Sequence, residues 1–247
     1  MGLDWIPNPP LPRPVEAKGP AESPAAEAEP EPPPAALFSV VCANFDRFTS
    51  AVLSTDEKRA VLAELDERQV KVCRLCRLCE TRKNTVFGEG DPDAKIFFIG
   101  EGPGENEDLT GRPFVGKAGQ LLDKMIAAMG LERKQVFIGN IIKCRPPNNR
   151  VPAPDEVAAC TPYLVKQLEW IRPRVIVTLG LPAAKYMLQT SESMGRLRGQ
   201  WRSWRGIKLM PTFHPAYLLR SYTEENRLKV WSDLKQVMTE LGLKAKR

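Results

Sequence analysis

Four short apolar runs, at residues 94–100, 135–139, 174–180 and 207–213, punctuate this chain, each stopping at a glycine or just short of a proline. Runs this short, with no polar face of their own, read as strands buried on both sides. Between and after them, residues 116–129, 153–171, 182–188 and 224–241 carry helical periodicity. Strands that alternate with helices cannot be joined by hairpins, so the sheet must be mainly parallel with helices over both faces. The predicted class is therefore α/β, a three-layer α/β/α fold around a central four-stranded, mainly parallel sheet.

Composition divides the chain before the first of these strands. Eleven of the 23 prolines fall within the first 34 residues, mixed with alanine and glutamate. Such a tract buries too little apolar surface to offset its ordering entropy, which predicts a disordered tail at 1–36. Residues 37–53 and 55–72 have helical character and form a lead-in, and the main domain is expected at 73–247. Residues 1–70 hold 6 basic and 12 acidic side chains, whereas residues 71–247 hold 30 and 18, a net +12. A basic body suits a polyanionic partner such as nucleic acid, although ordinary solubilising charge has the same appearance. No apolar run reaches the roughly 18 residues of a membrane span, and the first residues lack a basic stretch followed by an apolar core. These features predict a cytoplasmic chain, where six cysteines serve as thiols or metal ligands rather than disulfides.

His214 is the single histidine. It follows the fourth apolar run and precedes Pro215, which places it at a strand end, where α/β folds carry their chemistry. Imidazole hydrogen-bonds, protonates and carries charge near neutral pH; a histidine that merely caps the strand is the plain alternative. The first strand runs into Gly100-Glu-Gly-Pro-Gly-Glu-Asn-Glu-Asp108. A dinucleotide fingerprint needs glycine where Glu105 stands, and the acids at 105, 107 and 108 repel a pyrophosphate, so that reading is excluded. Gly111-Arg-Pro-Phe-Val-Gly116 presents Phe114 from a loop, either as a core plug or as a platform for a flat ring. Asn140, after the second strand, either fills a turn or offers a donor and an acceptor side by side.

Cys73 and Cys76, followed by Cys144 and Cys160, make a four-thiolate metal pattern that accepts zinc or an iron–sulfur cluster. Cys79 extends the first run as an alternative ligand, and Cys42 reads as a small buried apolar residue. Between 196 and 205, four arginines interleave with two tryptophans. On a basic body this segment, Arg198 and Arg202 included, suits gripping a phosphate backbone; on a solvated hairpin it is ordinary surface.

Taken in order, Gly100-Glu-Gly-Pro-Gly-Glu-x-Glu-Asp108, Gly111-Arg-Pro-Phe-Val-Gly116, Asn140-Ile-Ile-Lys-Cys-Arg-Pro-Pro147 and His214-Pro-Ala-Tyr-Leu-Leu219 resemble the family 4 uracil-DNA glycosylases, thermophile-type enzymes that carry an iron–sulfur cluster. The resemblance spans residues 73–241 and leaves 1–70 uncovered. It implies a uracil-DNA glycosylase-like fold and a structural [4Fe–4S] cluster on Cys73, Cys76, Cys144 and Cys160, with Cys79 outside the ligand set. It further implies hydrolysis of the N-glycosidic bond of uracil in single- or double-stranded DNA, leaving an abasic site.

Such an enzyme must turn uracil out of the helix and recognise it in a pocket. There Phe114 would stack on the ring, while Asn140 donates to O4 and accepts from N3–H, a pattern cytosine presents in reverse. The resemblance implies that Glu107 closes the space beside C5 against a thymine methyl. His214 would donate to O2 as negative charge develops there, with the backbone at Glu101 and Gly102 holding that edge. In the better-known uracil-DNA glycosylases an aspartate follows the residue matching Glu101 and positions water; here it is Gly102. We therefore expect a dissociative reaction with an oxocarbenium-like sugar, in which Glu101 steadies the cation or the water. Leu218 and Leu219 are expected to fill the gap left by the flipped base, with Arg220 on phosphate; a buried helix start is the alternative for one of the two leucines.

Two other classes compete. One is an iron–sulfur DNA-binding or replication-accessory protein without excision, which would need no joint occurrence of Glu101, Phe114, Asn140 and His214. The other is a zinc-stabilised nucleotide-binding protein, weakened by the failed glycine fingerprint. The expected state is a monomer acting on DNA, with the tail free to bind another protein.

Overall fold

The computed structural model describes residues 53–245. The expected tail, almost all of the helix expected at 37–53, and Cys42 lie outside the described residues.

Chain order runs α1 (Thr55–Leu65), β1 (Glu89–Gly90), β2 (Ile96–Gly100), α2 (Glu105–Thr110), α3 (Lys117–Ala128) and β3 (Phe137–Asn140). It continues through α4 (Pro154–Ile171), β4 (Val175–Leu179), α5 (Leu181–Leu188), α6 (Met194–Leu197), β5 (Arg202–Trp204), β6 (Ile207–Thr212), α7 (Pro215–Arg220) and α8 (Glu224–Leu241). The sheet has six strands in the order β1-β3-β2-β4-β6-β5, not four. Its central four are parallel, as expected. The two additional strands pair antiparallel at the edges and are only two and three residues long. They escape a sequence reading because short edge strands need no apolar run; brevity and charge there discourage pairing with other chains.

Every residue of β2, β3 and β4 is buried, which is why these strands show no polar alternation. Successive side chains feed two cores. Ile96, Phe98, Ile138, Val175, Val177 and Met210 pack with Leu122 and Ile126 of α3 and Val230 and Leu234 of α8. Phe97, Ile99, Phe137, Ile176 and Leu209 pack on the other face with Leu164 and Leu168 of α4, Met187 of α5 and Leu62 and Leu65 of α1. The lead-in helix is thus part of the body. Ser54 and Glu57 close its N-terminus as a capping box, and buried Lys58 binds Asp93 at 2.7 Å and the carbonyl of Ile171 at 3.3 Å.

Because β3, β2, β4 and β6 are parallel neighbours, their C-terminal ends lie along one edge of the sheet. After β2 the chain crosses the first core face, and after β4 it crosses the second. The two departures open a crevice, the usual ligand position in an open α/β sheet.

Candidate active site and cysteine pocket

Each parallel strand delivers one group to that crevice. β6 ends two residues before His214, which caps α7: the Ala216 N–H donates to Nδ1 at 3.0 Å. That bond makes Nδ1 an acceptor, which assigns the ring proton to Nε2. Burial, reinforced by the positive charge of Arg220 and opposed by Glu107, drives the imidazole pKa down to about 4. His214 is therefore a neutral Nε2–H donor at physiological pH. Gly180 directly follows β4; its φ of +92° disfavours any side chain, and a Cβ there would stand 3.0 Å from that of His214.

β2 and β3 supply the floor. A Cβ on Gly100 would stand 2.4 Å from Oδ1 of Asn140 and 2.7 Å from Cζ of Phe114, so these two side chains meet over the glycine. Asn140 is buried, and its Oδ1 has no hydrogen-bond partner among the described residues. A buried amide oxygen left unpaired is costly and asks for a donor. The Phe114 ring lies 5.7 Å from that of His214, inclined by 30°. Phe114 is both buried and next to His214, which joins the two alternatives posed for it.

The Phe114 loop is held by Glu107. Oε1 of Glu107 accepts from the N–H groups of Val115 at 2.8 Å and Gly116 at 3.0 Å, and Oε2 accepts from Gly104 at 3.2 Å. The position expected to contact the base thus spends both oxygens on backbone amides. Glu101 follows β2; burial raises its carboxyl pKa, and its carbonyl accepts from Ile142 N–H at 3.2 Å. A Cβ on Gly102 would strike Ile142 at 2.8 Å.

The residues expected to face DNA divide. Leu218 is fully buried in the first core, which removes it from any wedge, whereas Leu219 is 43% exposed and Arg220 is exposed. The Arg198 guanidinium is engaged by buried Asp233 and donates to the Lys229 carbonyl at 2.6 Å. Asp233 also accepts from Thr212 Oγ1 at 2.7 Å, so this arginine secures the end of β6 rather than reaching outward. Burial raises the Asp233 carboxyl to about 6. Arg202 pairs with Glu192 at 3.2 Å. Arg198 is therefore not a free phosphate contact, while Arg202 sits in a part-exposed ion pair.

Cys73, Cys76, Cys144 and Cys160 line one pocket together with Val70, Leu75, Lys143, Ala159 and Tyr163; Cys79 is not among its walls. Arg82 donates to Sγ of Cys144, and the Lys143 N–H donates to Sγ of Cys160, both at 3.1 Å. Burial pushes these thiols up to about 11 and about 12. Among the described residues no three His, Cys, Asp or Glu side chains are placed to hold a single metal ion. Lys143 reaches both sites: buried, it donates from Nζ to the Asn140 carbonyl at 3.0 Å and to Gln167 at 2.7 Å. Sequence reasoning missed Lys143, Asp233 and Gly180, although a glycine closing a strand was a visible signal for the last.

Comparison with known proteins bears on the same residues. The family model of the uracil DNA glycosylase superfamily matches residues 87–235, more than half of the chain and the whole crevice. A type-4 uracil-DNA glycosylase of Thermotoga maritima is 47% identical over 180 residues, 72% of this chain and 94% of its own length. The chain belongs to the type-4 uracil-DNA glycosylases. Two further type-4 relatives agree with this placement. That of Saccharolobus solfataricus is 46% identical over 185 residues, 71% of this chain and 85% of its own. That of Archaeoglobus fulgidus is 44% identical over 185 residues, 72% of this chain and 92% of its own.

Proposed function

We propose that this chain excises uracil from DNA through the crevice at the ends of β2, β3, β4 and β6. The carrying observation is the buried, unpartnered Oδ1 of Asn140 beside the Phe114 ring and the neutral imidazole of His214. Uracil stacked on Phe114 offers its N3–H to that oxygen and its O4 to the amide nitrogen. Cytosine sets an acceptor and a donor against the same groups, and sites that leave buried polar groups unpaired discriminate by about 10⁴ to 10⁵. As the glycosidic bond lengthens, charge moves onto O2, and the Nε2–H of His214 stabilises it without giving up its proton. With Gly102 in place of a water-positioning acid, the bond breaks ahead of water attack, and Glu101 supplies negative charge near the sugar cation. Leu219 and Arg220, exposed one turn beyond His214, face the DNA.

The four pocket cysteines fit a [4Fe–4S] cluster. They ring a cavity on three chain segments, and N–H donors from Arg82 and Lys143 already point at two sulfurs, as the charge of thiolates requires. Cys73, Cys76, Cys144 and Cys160 would hold it, and it would then tie together the segment before β1, the loop after β3 and α4, a structural contribution with no chemical step through it. We place the protein in the cytoplasm as a monomer, with residues 1–36 serving contacts to a protein partner.

The test is incubation of iron-replete protein with single- and double-stranded oligonucleotides carrying one uracil, followed by alkali. Strand breaks at uracil, and none where cytosine or thymine replaces it, are expected. Intact strands would sink the proposal.

A further inference from the structure

Arg133 sits in the polar turn Arg133–Gln135 between α3 and β3, outside every motif. Its guanidinium donates to the carbonyls of both Pro113 and Phe114, the latter at 3.3 Å. The same group is fixed by Glu89 of β1 through Nε at 2.7 Å and by Asp123 of α3 through Nη1 at 2.7 Å. Glu89 is in turn gripped by both ends of Arg112, at 2.8 and 3.1 Å. Burial alone would raise the Glu89 carboxyl, but hydrogen bonds from Arg112 and Arg133 bring it below its ordinary value, so it stays ionised.

Phe114 has a φ of 51°, in the left-handed region that a residue with a Cβ enters only under constraint. The constraint comes from two sides. Arg133 holds the carbonyls of residues 113 and 114, and Glu107 holds the N–H groups of residues 115 and 116. The peptide between Phe114 and Val115 is thereby bound at its oxygen and its nitrogen. On the remaining side, Gly119 lets α3 approach so closely that a Cβ there would lie 1.8 Å from the Phe114 carbonyl oxygen. Released from the guanidinium, the loop would relax toward an ordinary φ, and the ring would swing away from Asn140 and His214.

We propose that Arg133 is a positioning residue for base stacking, setting the Phe114 ring through its backbone while never touching the base. The proposal rests on the reading of Phe114 as the platform for uracil. A planar fork is required because four acceptors lie in fixed directions round one side chain; an ammonium lacks that geometry. The same clamp gives β1 a purpose, since that two-residue edge strand brings Glu89 to the arginine.

The experiment is a double-mutant cycle on Arg133→Met and Phe114→Leu, read by single-turnover excision, by inhibition with free uracil, and by melting temperature. Each single variant is expected to slow excision by about tenfold to 10²-fold and to weaken uracil inhibition, as a misplaced positioning group does. The double variant should be no worse than Phe114→Leu alone, because Arg133 acts through that ring. Arg133→Lys, equal in charge but without the fork, should fall between parent and Arg133→Met, and it replaces Arg133→Met in the cycle if that variant does not fold. Multiplying effects overturn the proposal. So does an Arg133→Met rate within about twofold of the parent while Phe114→Leu is slow, whatever happens to the melting temperature. If Phe114→Leu itself keeps the parent rate and uracil inhibition, the stacking platform falls and takes the clamp's purpose with it.

Discussion

In the proposed reaction His214 acts uncharged. The Ala216 N–H occupies Nδ1 and burial holds the ring neutral, so the proton on Nε2 is present at every physiological pH. On that proposal, replacing His214 by alanine removes a donor used mainly in the transition state. Single-turnover excision should fall by about 10² to 10³, or about 2.7–4 kcal/mol, as for loss of one oxyanion-hole donor. Affinity for uracil-containing DNA, dominated by phosphate contacts, should change far less. A rate within a few-fold of the parent removes His214 from the chemistry. Its depressed pKa also carries a stability signature. Between pH 6.5 and about 4 the unfolded chain takes up a proton that the folded imidazole refuses, so the folded state loses stability as pH falls through that window. Asp233 and Glu101, raised by burial, act in the opposite direction but are common to parent and variant. The parent's melting temperature should therefore drop more between pH 7 and pH 5 than that of His214→Ala. Equal drops would mean the ring is not held neutral. The sequence made His214 conspicuous because it is alone of its kind. It gave no sign of Arg133, whose turn resembles any polar turn until Pro113 and Phe114 are folded against it.

At the level of elements, the four parallel strands were legible because burial on both faces leaves apolar runs, while β1 and β5 left none. The arginine-rich segment was only half legible for a related reason. Charge spacing shows the cations at 198 and 202 but not their partners Asp233 and Glu192, of which Asp233 lies 35 residues along the chain. Leu218 and Leu219 were indistinguishable until helical phase turned one inward. The thiols were legible by spacing, and the pocket separates four of them from Cys79. Purified protein should carry about four irons per chain with broad visible absorption. Cys79→Ser should keep that iron, whereas Cys144→Ser should lose it and lower the melting temperature. Iron retained in Cys144→Ser, or lost in Cys79→Ser, contradicts the ligand set.

Across the whole sequence a basic body follows an acidic, proline-rich N-terminal stretch, and the crevice draws every group from the body. Deleting residues 1–36 should therefore leave single-turnover excision at the parent rate; a large loss with iron and fold intact would show that this stretch takes part. The body's net positive charge should make DNA affinity fall steeply with salt, in parent and truncated protein alike. The glycines of the crevice have a consequence for anyone wishing to move this chemistry elsewhere. At 100 and 119 the backbone comes so close to Asn140 and Phe114 that a single added carbon collides with them, and at 180 it would crowd His214 at 3.0 Å from a left-handed backbone that disfavours a side chain. The transferable unit is thus a set of side chains together with the hollows beneath them. Grafting only the three reactive-looking residues onto another α/β scaffold would copy the visible half of the design, and saturation mutagenesis should report those three inert positions as intolerant as the histidine itself.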